Sequence, residues 1–211
     1  VMDREKPAVT FLCNPNNPTG VVEPRSNLEV LLEKSTGLVV VDEAYAEFSS
    51  WSAVDMIRED LPLVVTRTFS KTLSLAALRV GYVVAPAAVI DALEIAALPY
   101  HVDAFKQAAT LAALGYTREM VDRVSVVKSE RDRIAAGLEA AGCRTWPSGA
   151  NFLLFSPDNI TAAQMWQGLL DRGILVRDCS GWPRLAGCLR VTVGTEAENS
   201  AFLAAVTELS A

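Results

Sequence analysis

The segment from Thr66 to Tyr82, TRTFSKTLSLAALRVGY, gathers residues whose types and spacing suit one kind of chemistry. Lys71 follows the apolar run Leu63–Val65, has Thr68 and Ser70 just before it, and has Arg79 eight positions after it. A lysine that attacks a carbonyl and forms a Schiff base must give up its proton near neutral pH, which partial desolvation and a neighbouring cation both favour. Arg79 is the candidate cation. Two hydroxyls and a planar guanidinium also suit a phosphate dianion, because the guanidinium fork matches two oxygens and the hydroxyls donate to the rest. An aldehyde that carries a phosphate would engage all four side chains. Taken alone, the segment reads equally as a polar turn in which a Ser-Lys pair and an arginine coincide, so the company it keeps must decide.

Two earlier stretches supply that company. The β-rich run Ala8–Cys13 stops in NPNNPTG, residues 14–20, whose two prolines and Gly20 exclude a regular element and whose length exceeds the needs of a tight turn. The run LVVV, residues 38–41, is wholly apolar and mostly β-branched, as in a parallel strand buried on both faces. It leads into Asp42-Glu43-Ala44-Tyr45, placing a carboxylate at the carboxyl end of a buried strand and a phenol three residues later. Ligands of open α/β sheets bind at that edge. Asp42 reads equally as a helix cap.

Composition narrows the ligand. The chain has 211 residues, 51% of them hydrophobic, which suffices for a packed core and excludes disorder. A net charge of -6 and a pI near 4.9 argue against nucleic acid and against an anionic membrane surface, and leave small molecules. Cys13, Cys143, Cys179 and Cys188 show no CxxC spacing, and with His101 as the single histidine no zinc-like set exists. The thiols are expected to be reduced, as in a cytoplasmic protein. No apolar stretch reaches the ~18 residues of a membrane span, and the charged opening VMDREKPAVTF lacks a leader's apolar region. The start at Val1 suggests a piece of a longer chain.

These groups need elements to hold them. A helix is expected after Glu23-Pro24, with Ser26 as a possible cap and Gly37 as its end, and strands over 38–41, 63–66 and 80–85. Helices are expected over 87–97, 103–114 and 117–141, the alanine-rich second one buried against something large and the charged third one solvated. Beyond Gly142 the pattern changes to strands at 143–146, 151–155, 174–177 and 189–193, with helices at about 161–171 and from Glu196. That makes a compact α+β unit.

NPNNPTG, a strand ending in DEAY, and a Ser-Lys pair with Arg79 beyond it stand in an order that resembles the fold type I pyridoxal-phosphate aminotransferases. LRVTVG, residues 189–194, adds a fourth match where that family keeps an arginine for the substrate's anionic group. The resemblance covers essentially the whole chain. Within the family, VDEAYAEF, RTFSKTLSLAALRVGY, GILVRD and GCLRVTVGT look most like the histidinol-phosphate aminotransferases.

The resemblance implies an α/β fold. Residues 1–125 would be part of an aspartate-aminotransferase-like large domain with a mostly parallel sheet, and 126–211 a small C-terminal α+β domain. It implies pyridoxal 5'-phosphate as cofactor and no metal. Lys71 would bind the aldehyde and then move a proton at the substrate's Cα. Asp42 would pair with the pyridinium nitrogen, whose charged form a buried carboxylate favours. Asn17 and Tyr45 would hydrogen-bond the phenolic oxygen, and Thr68, Ser70 and Arg79 would hold the phosphate. Arg190 would clamp the substrate's anionic group, with Arg177 as a second cation; Arg177 reads equally as a surface ion-pair residue.

The implied reaction moves an amino group from a small-molecule donor, L-histidinol phosphate, to the 2-oxo acid 2-oxoglutarate, in a cytoplasmic homodimer serving histidine biosynthesis. Aromatic-amino-acid aminotransferases and threonine-phosphate decarboxylases resemble the same pattern and stay open, as does a catalytically incomplete remnant. Family members carry a further segment ahead of NPNNPTG, with amides for the phosphate, a ring for the pyridine and residues for the partner subunit. The chain is therefore expected to be the C-terminal portion of such an enzyme, with negligible turnover by itself.

Overall fold

The computed structural model describes residues 2–211. Its contacts divide the chain into two units, one running up to Pro15 together with Val22–Arg123, the other Asn16–Val21 together with Val124–Ala211. In chain order the first unit holds α1 (Met2–Glu5), β1 (Val9–Cys13), α2 (Arg25–Lys34), β2 (Leu38–Asp42), β3 (Leu63–Thr68), β4 (Gly81–Val84), α3 (Ala87–Ala96) and α4 (Ala104–Leu114). Single 3-10 turns at Ala46–Phe48, Ala53–Met56 and Ala76–Leu78 lie between its strands. The sheet order is β1-β2-β3-β4, parallel across the first three strands and antiparallel between β3 and β4.

The central strand β2 buries Val39, Val40 and Val41, as its continuous β-branched run requires with neighbours on both sides. Leu28 of α2 joins Val39, Val41, Ala53, Met56, Leu63 and Val65 in the core beneath one face. Register sets Cys13 opposite Asp42 and Asp42 opposite Thr66, so the polar residues emerge together at the carboxyl edge. Two expectations for α2 are corrected. Pro24 is its N-cap, with Ser26 inside the first turn, and Ser35 rather than Gly37 ends it. Gly37 instead lets the backbone run against the Ala8 carbonyl, where a Cβ would collide.

Helix α5 (Thr117–Ala140) crosses the unit boundary, and Gly142, at φ 74°, turns the chain out of it in the left-handed conformation glycine tolerates. The second unit continues with β5 (Cys143–Thr145), β6 (Phe152–Pro157), α6 (Ala162–Leu170), β7 (Arg177–Asp178), β8 (Leu189–Thr192) and α7 (Glu196–Ser210). Its sheet, in order β5-β6-β8-β7, is antiparallel throughout. Ile134 and Leu138 of α5, Leu153 and Phe155 of β6, Met165 and Leu169 of α6, and Phe202 and Val206 of α7 close one core. Both α6 and α7 begin in capping boxes, Thr161 with Gln164 and Thr195 with Glu198, each satisfying two otherwise unpaired amides.

The strand expected over 174–177 shrinks to Arg177–Asp178. Ile174 N–H donates to the Leu169 carbonyl at 2.9 Å, and the Val176 carbonyl accepts from the Trp166 indole at 3.1 Å. The backbone from Ile174 to Val176 is thus spent on α6 rather than on a ladder. The burial expected of α4 is also absent within this chain: Thr110 is its one buried residue, and Phe105 is 89% exposed. His101 lies in a loop, exposed, with Nδ1 3.0 Å from the Leu98 carbonyl oxygen. Among the described residues no helix is long and apolar enough to cross a membrane.

Candidate active site

In the first unit the carboxyl edge of the sheet forms a cavity of about 290 Å³ lined by Asp42, Ala44, Thr66, Arg67, Thr68, Ser70, Lys71 and Arg79. Five residues singled out in the sequence therefore share one space: Asp42, Thr68, Ser70, Lys71 and Arg79. Asp42 sits at the end of β2 and accepts from the Ala44 N–H at 3.0 Å, a local turn that fixes the carboxylate as the strand ends. Thr68, at the end of β3, donates from Oγ1 to Ser70 Oγ at 2.8 Å and accepts from the Ser70 N–H at 3.1 Å. The two hydroxyls are thus set side by side before any ligand arrives.

Arg79 has φ 56°, a left-handed conformation uncommon for a side chain of its kind, and its Nη1 donates to the Ala76 carbonyl at 3.1 Å. Lys71 Nζ stands 5.0 Å from the centroid of the Tyr45 ring, within cation–π range, and Tyr45 is itself buried. Lys71 and Arg79 are both exposed. That corrects the partial desolvation expected for the lysine; the Tyr45 ring is the cover it has here.

A polar network beside the cavity escaped the sequence reading. Glu43 is 1% exposed, and its carboxylate accepts from the Ala53 N–H at 2.5 Å, from Ser52 Oγ at 2.8 Å, and from Arg67 Nε and Nη2 at 3.0 and 2.8 Å. Arg67 Nη2 also donates to Ser52 Oγ at 2.8 Å. Burial disfavours the Arg67 charge, but hydrogen bonds to Glu43 and Tyr82 outweigh it and hold the guanidinium above its ordinary range. Burial also pushes the nearby Glu47 carboxyl up, against the pull of its backbone bond and of Arg67. The signal available in sequence was an acid directly after a buried strand and an arginine at the matching point of the next one.

The second unit holds the remaining candidates. Asn17 lies in the 16–21 segment, where its Oδ1 accepts from Arg190 Nη1. That segment is fixed within the unit: the Gly149 N–H donates to the Gly20 carbonyl at 2.8 Å, and Gly20, at φ 77°, packs where a Cβ would strike Ser148. The Arg190 guanidinium stacks 4.7 Å from the Phe152 ring centroid, and its Nε is buried with no partner. Arg177 of β7 is the direct cross-strand partner of Arg190 of β8. Like charges placed opposite each other are unfavourable unless an anion relieves them. The cysteines are free, and burial pushes the thiols of Cys143, Cys179 and Cys188 up.

The carboxyl edge of the first unit's sheet thus presents lysine, carboxylate, hydroxyls and arginine where open α/β sheets receive their ligands. The chain belongs to the aminotransferase class I and II family, whose profile matches residues 2–206. It is 48% identical over 200 residues to the histidinol-phosphate aminotransferase of Nocardia farcinica, covering 94% of this chain and 51% of that protein. It is 45% identical over 210 residues to that of Frankia casuarinae, covering 96% and 52%. Among solved structures, the histidinol-phosphate aminotransferase of Sinorhizobium meliloti in complex with pyridoxal-5'-phosphate superposes with a TM-score of 0.89 at 26% identity, covering 99% of this chain and 59% of that one. The chain thus spans about half the length of the curated relatives it matches.

Proposed function

We propose that this chain carries the lysine-bearing part of a pyridoxal-phosphate aminotransferase site that takes L-histidinol phosphate as amino donor and 2-oxoglutarate as acceptor. The carrying observation is the single cavity that joins Lys71, Asp42, Thr68, Ser70 and Arg79. The donor set fits the cofactor: an amine for its aldehyde, a carboxylate for its pyridinium nitrogen, and two preset hydroxyls with a guanidinium for its phosphate. Bound there, the cofactor supplies an electron sink that acidifies the substrate's Cα–H and stores the amino group between half-reactions.

The protein's own residues do the rest. Asp42 keeps a proton on the ring nitrogen by favouring its charged form. Thr68, Ser70 and Arg79 hold the phosphate and so fix the ring's orientation. Lys71 would take the proton from the substrate's Cα as general base and hold it as the general acid for its return. Tyr45 and Asn17 are assigned to the cofactor's phenolic oxygen. Arg190 and Arg177 are assigned to the anionic group of either substrate; support comes from their cross-strand pairing and from the unpartnered Nε of Arg190. The proposed domains are residues 1–125 and 126–211, with support from a unit boundary inside α5, although residues 16–21 group with the second unit. A cytoplasmic homodimer completes the reading, as the resemblance to the family implies.

The assay offers L-histidinol phosphate, aromatic amino acids and threonine phosphate with 2-oxoglutarate. It is run on the chain alone and with the portion of the Nocardia farcinica relative that the chain does not span supplied in the same polypeptide. Glutamate formed from histidinol phosphate in the extended form, and lost in Lys71→Ala, is the expected result. Carbon dioxide released from threonine phosphate, or a preference for aromatic donors, overturns the substrate assignment.

A further inference from the structure

We propose that Glu43 is a positioning residue for the Lys71–Asp42 cavity: it fixes the Arg67 guanidinium in the cavity wall and cancels its charge there, so that Arg79 supplies the positive charge a bound anion meets. The inference deepens the proposed function and rests on it for its meaning. The geometry begins with the β2–β3 register. Asp42 lies opposite Thr66, and the Glu43 N–H donates to the Thr66 carbonyl at 2.9 Å, so the residues that follow each strand's buried run meet as Glu43 and Arg67. Asp42 and Arg67 both line the cavity, while Glu43 points into the protein and is 1% exposed.

The Arg67–Glu43 pair, in which Nε and Nη2 both donate to Oε2 while Ser52 and the Ala53 N–H complete the carboxylate's shell, ties together the strand that delivers Asp42, the strand that delivers Thr68 and Lys71, and the turn at 52–53. A buried carboxylate held this way is retained only while its partner stays, because removing either charge strands the other.

The charge balance is the functional part. Lys71 is faced by Asp42 and the Tyr45 ring from the end of β2 and the turn after it, by Arg67 from β3, and by Arg79 from the turn before β4. Arg67 is faced in turn by Glu43 and Glu47 from the segment just after β2 and by Tyr82 from β4. Without Glu43, a third cation would look onto one carboxylate, destabilising the protonated lysine and drawing an anion away from Arg79.

The test reads the pH profile of Lys71 without any cofactor, by trace acetylation with acetic anhydride and peptide mass spectrometry. In Glu43→Gln the uncovered Arg67 charge is expected to move the Lys71 midpoint to lower pH by about half a unit, or roughly threefold in labelling rate at fixed pH. In Arg67→Gln the stranded Glu43 charge moves it the other way, and either single variant decides the sign if the other does not fold. In the double variant, which removes both charges, the profile returns to that of the wild type. Unchanged profiles in the single variants, or a shift that persists in the double variant, overturn the proposal; the latter would mean that the pair is only a structural tie. Borohydride trapping of pyridoxal phosphate on the wild type is a separate arm. A label away from Lys71 there refutes the cofactor reading while the acetylation profiles still judge the role of Glu43.

Discussion

The two units hold themselves together differently. The second wraps α5, α6 and α7 on an antiparallel sheet and closes one apolar cluster in which Phe155 and Phe202 meet edge to face, ring centroids 5.8 Å apart. The first buries the middle of its parallel sheet but leaves Phe11 76%, Ile95 89% and Phe105 89% exposed on β1, α3 and α4. What organises its carboxyl edge is polar: the buried Glu43 and the four hydrogen bonds its carboxylate accepts. A core held by dispersion and area tolerates a slow drift in shape, whereas a site held by a satisfied buried carboxylate has few near-equivalent arrangements. The first unit's carboxyl edge is thus ordered by a polar network, while the second unit rests on a closed apolar cluster.

Truncating the second unit's core should have the largest effect. Phe155→Ala is expected to cost about 3–5 kcal/mol in chemical denaturation, because the deleted ring leaves a cavity bounded by α7. A loss under 1 kcal/mol would mean that this core collapses onto the gap and that the contrast between units is weaker than drawn. Next comes the capping box of α7: Thr195→Ala should cost about 1 kcal/mol, seen as early fraying in amide exchange at 196–199.

A smaller effect follows from Glu130. Its hydrogen bonds from Arg133 and then from Asn199 hold its carboxyl at about 2, below the ordinary 4.5. The folded value lies below the unfolded one, so the stabilisation is complete above about pH 4.5 and is lost as pH falls toward 2. Glu130→Gln should flatten the acid limb of a stability–pH curve across that window. High salt should shrink the difference, since the partly exposed Arg133 leaves the pair open to screening. Smallest of all, Phe11→Ala should change stability by no more than about 0.5 kcal/mol, because its ring is already in water. A large loss there would show that β1's outer face is covered in solution.

Much of the site was legible because its parts lie at the ends of strands that announce themselves. LVVV and LVV are unbroken apolar runs, and the polar residues that follow them, Asp42 and Thr68 to Lys71, had to surface at one edge of a parallel sheet. Arg67 and Glu43 were not legible, since their meeting depends on a register that only the folded sheet defines. The fixing of residues 16–21 within the second unit depends on Gly20 and Ser148, far apart in sequence. Ile174–Val176 reads as a strand by composition, yet the Trp166 indole claims the Val176 carbonyl. Helix α4 has the composition of a buried helix, yet Thr110 is its one buried residue, a contrast that composition alone could not express.

The central claim, that the cavity around Lys71 holds pyridoxal phosphate through that lysine, is tested most directly by titrating the purified chain with the cofactor, reducing with borohydride, and mapping the label. The account predicts one labelled lysine, Lys71, with labelling lost in Lys71→Ala and weakened in Arg79→Gln. A label spread over Lys34, Lys106 and Lys128, or one that survives Lys71→Ala, would contradict it.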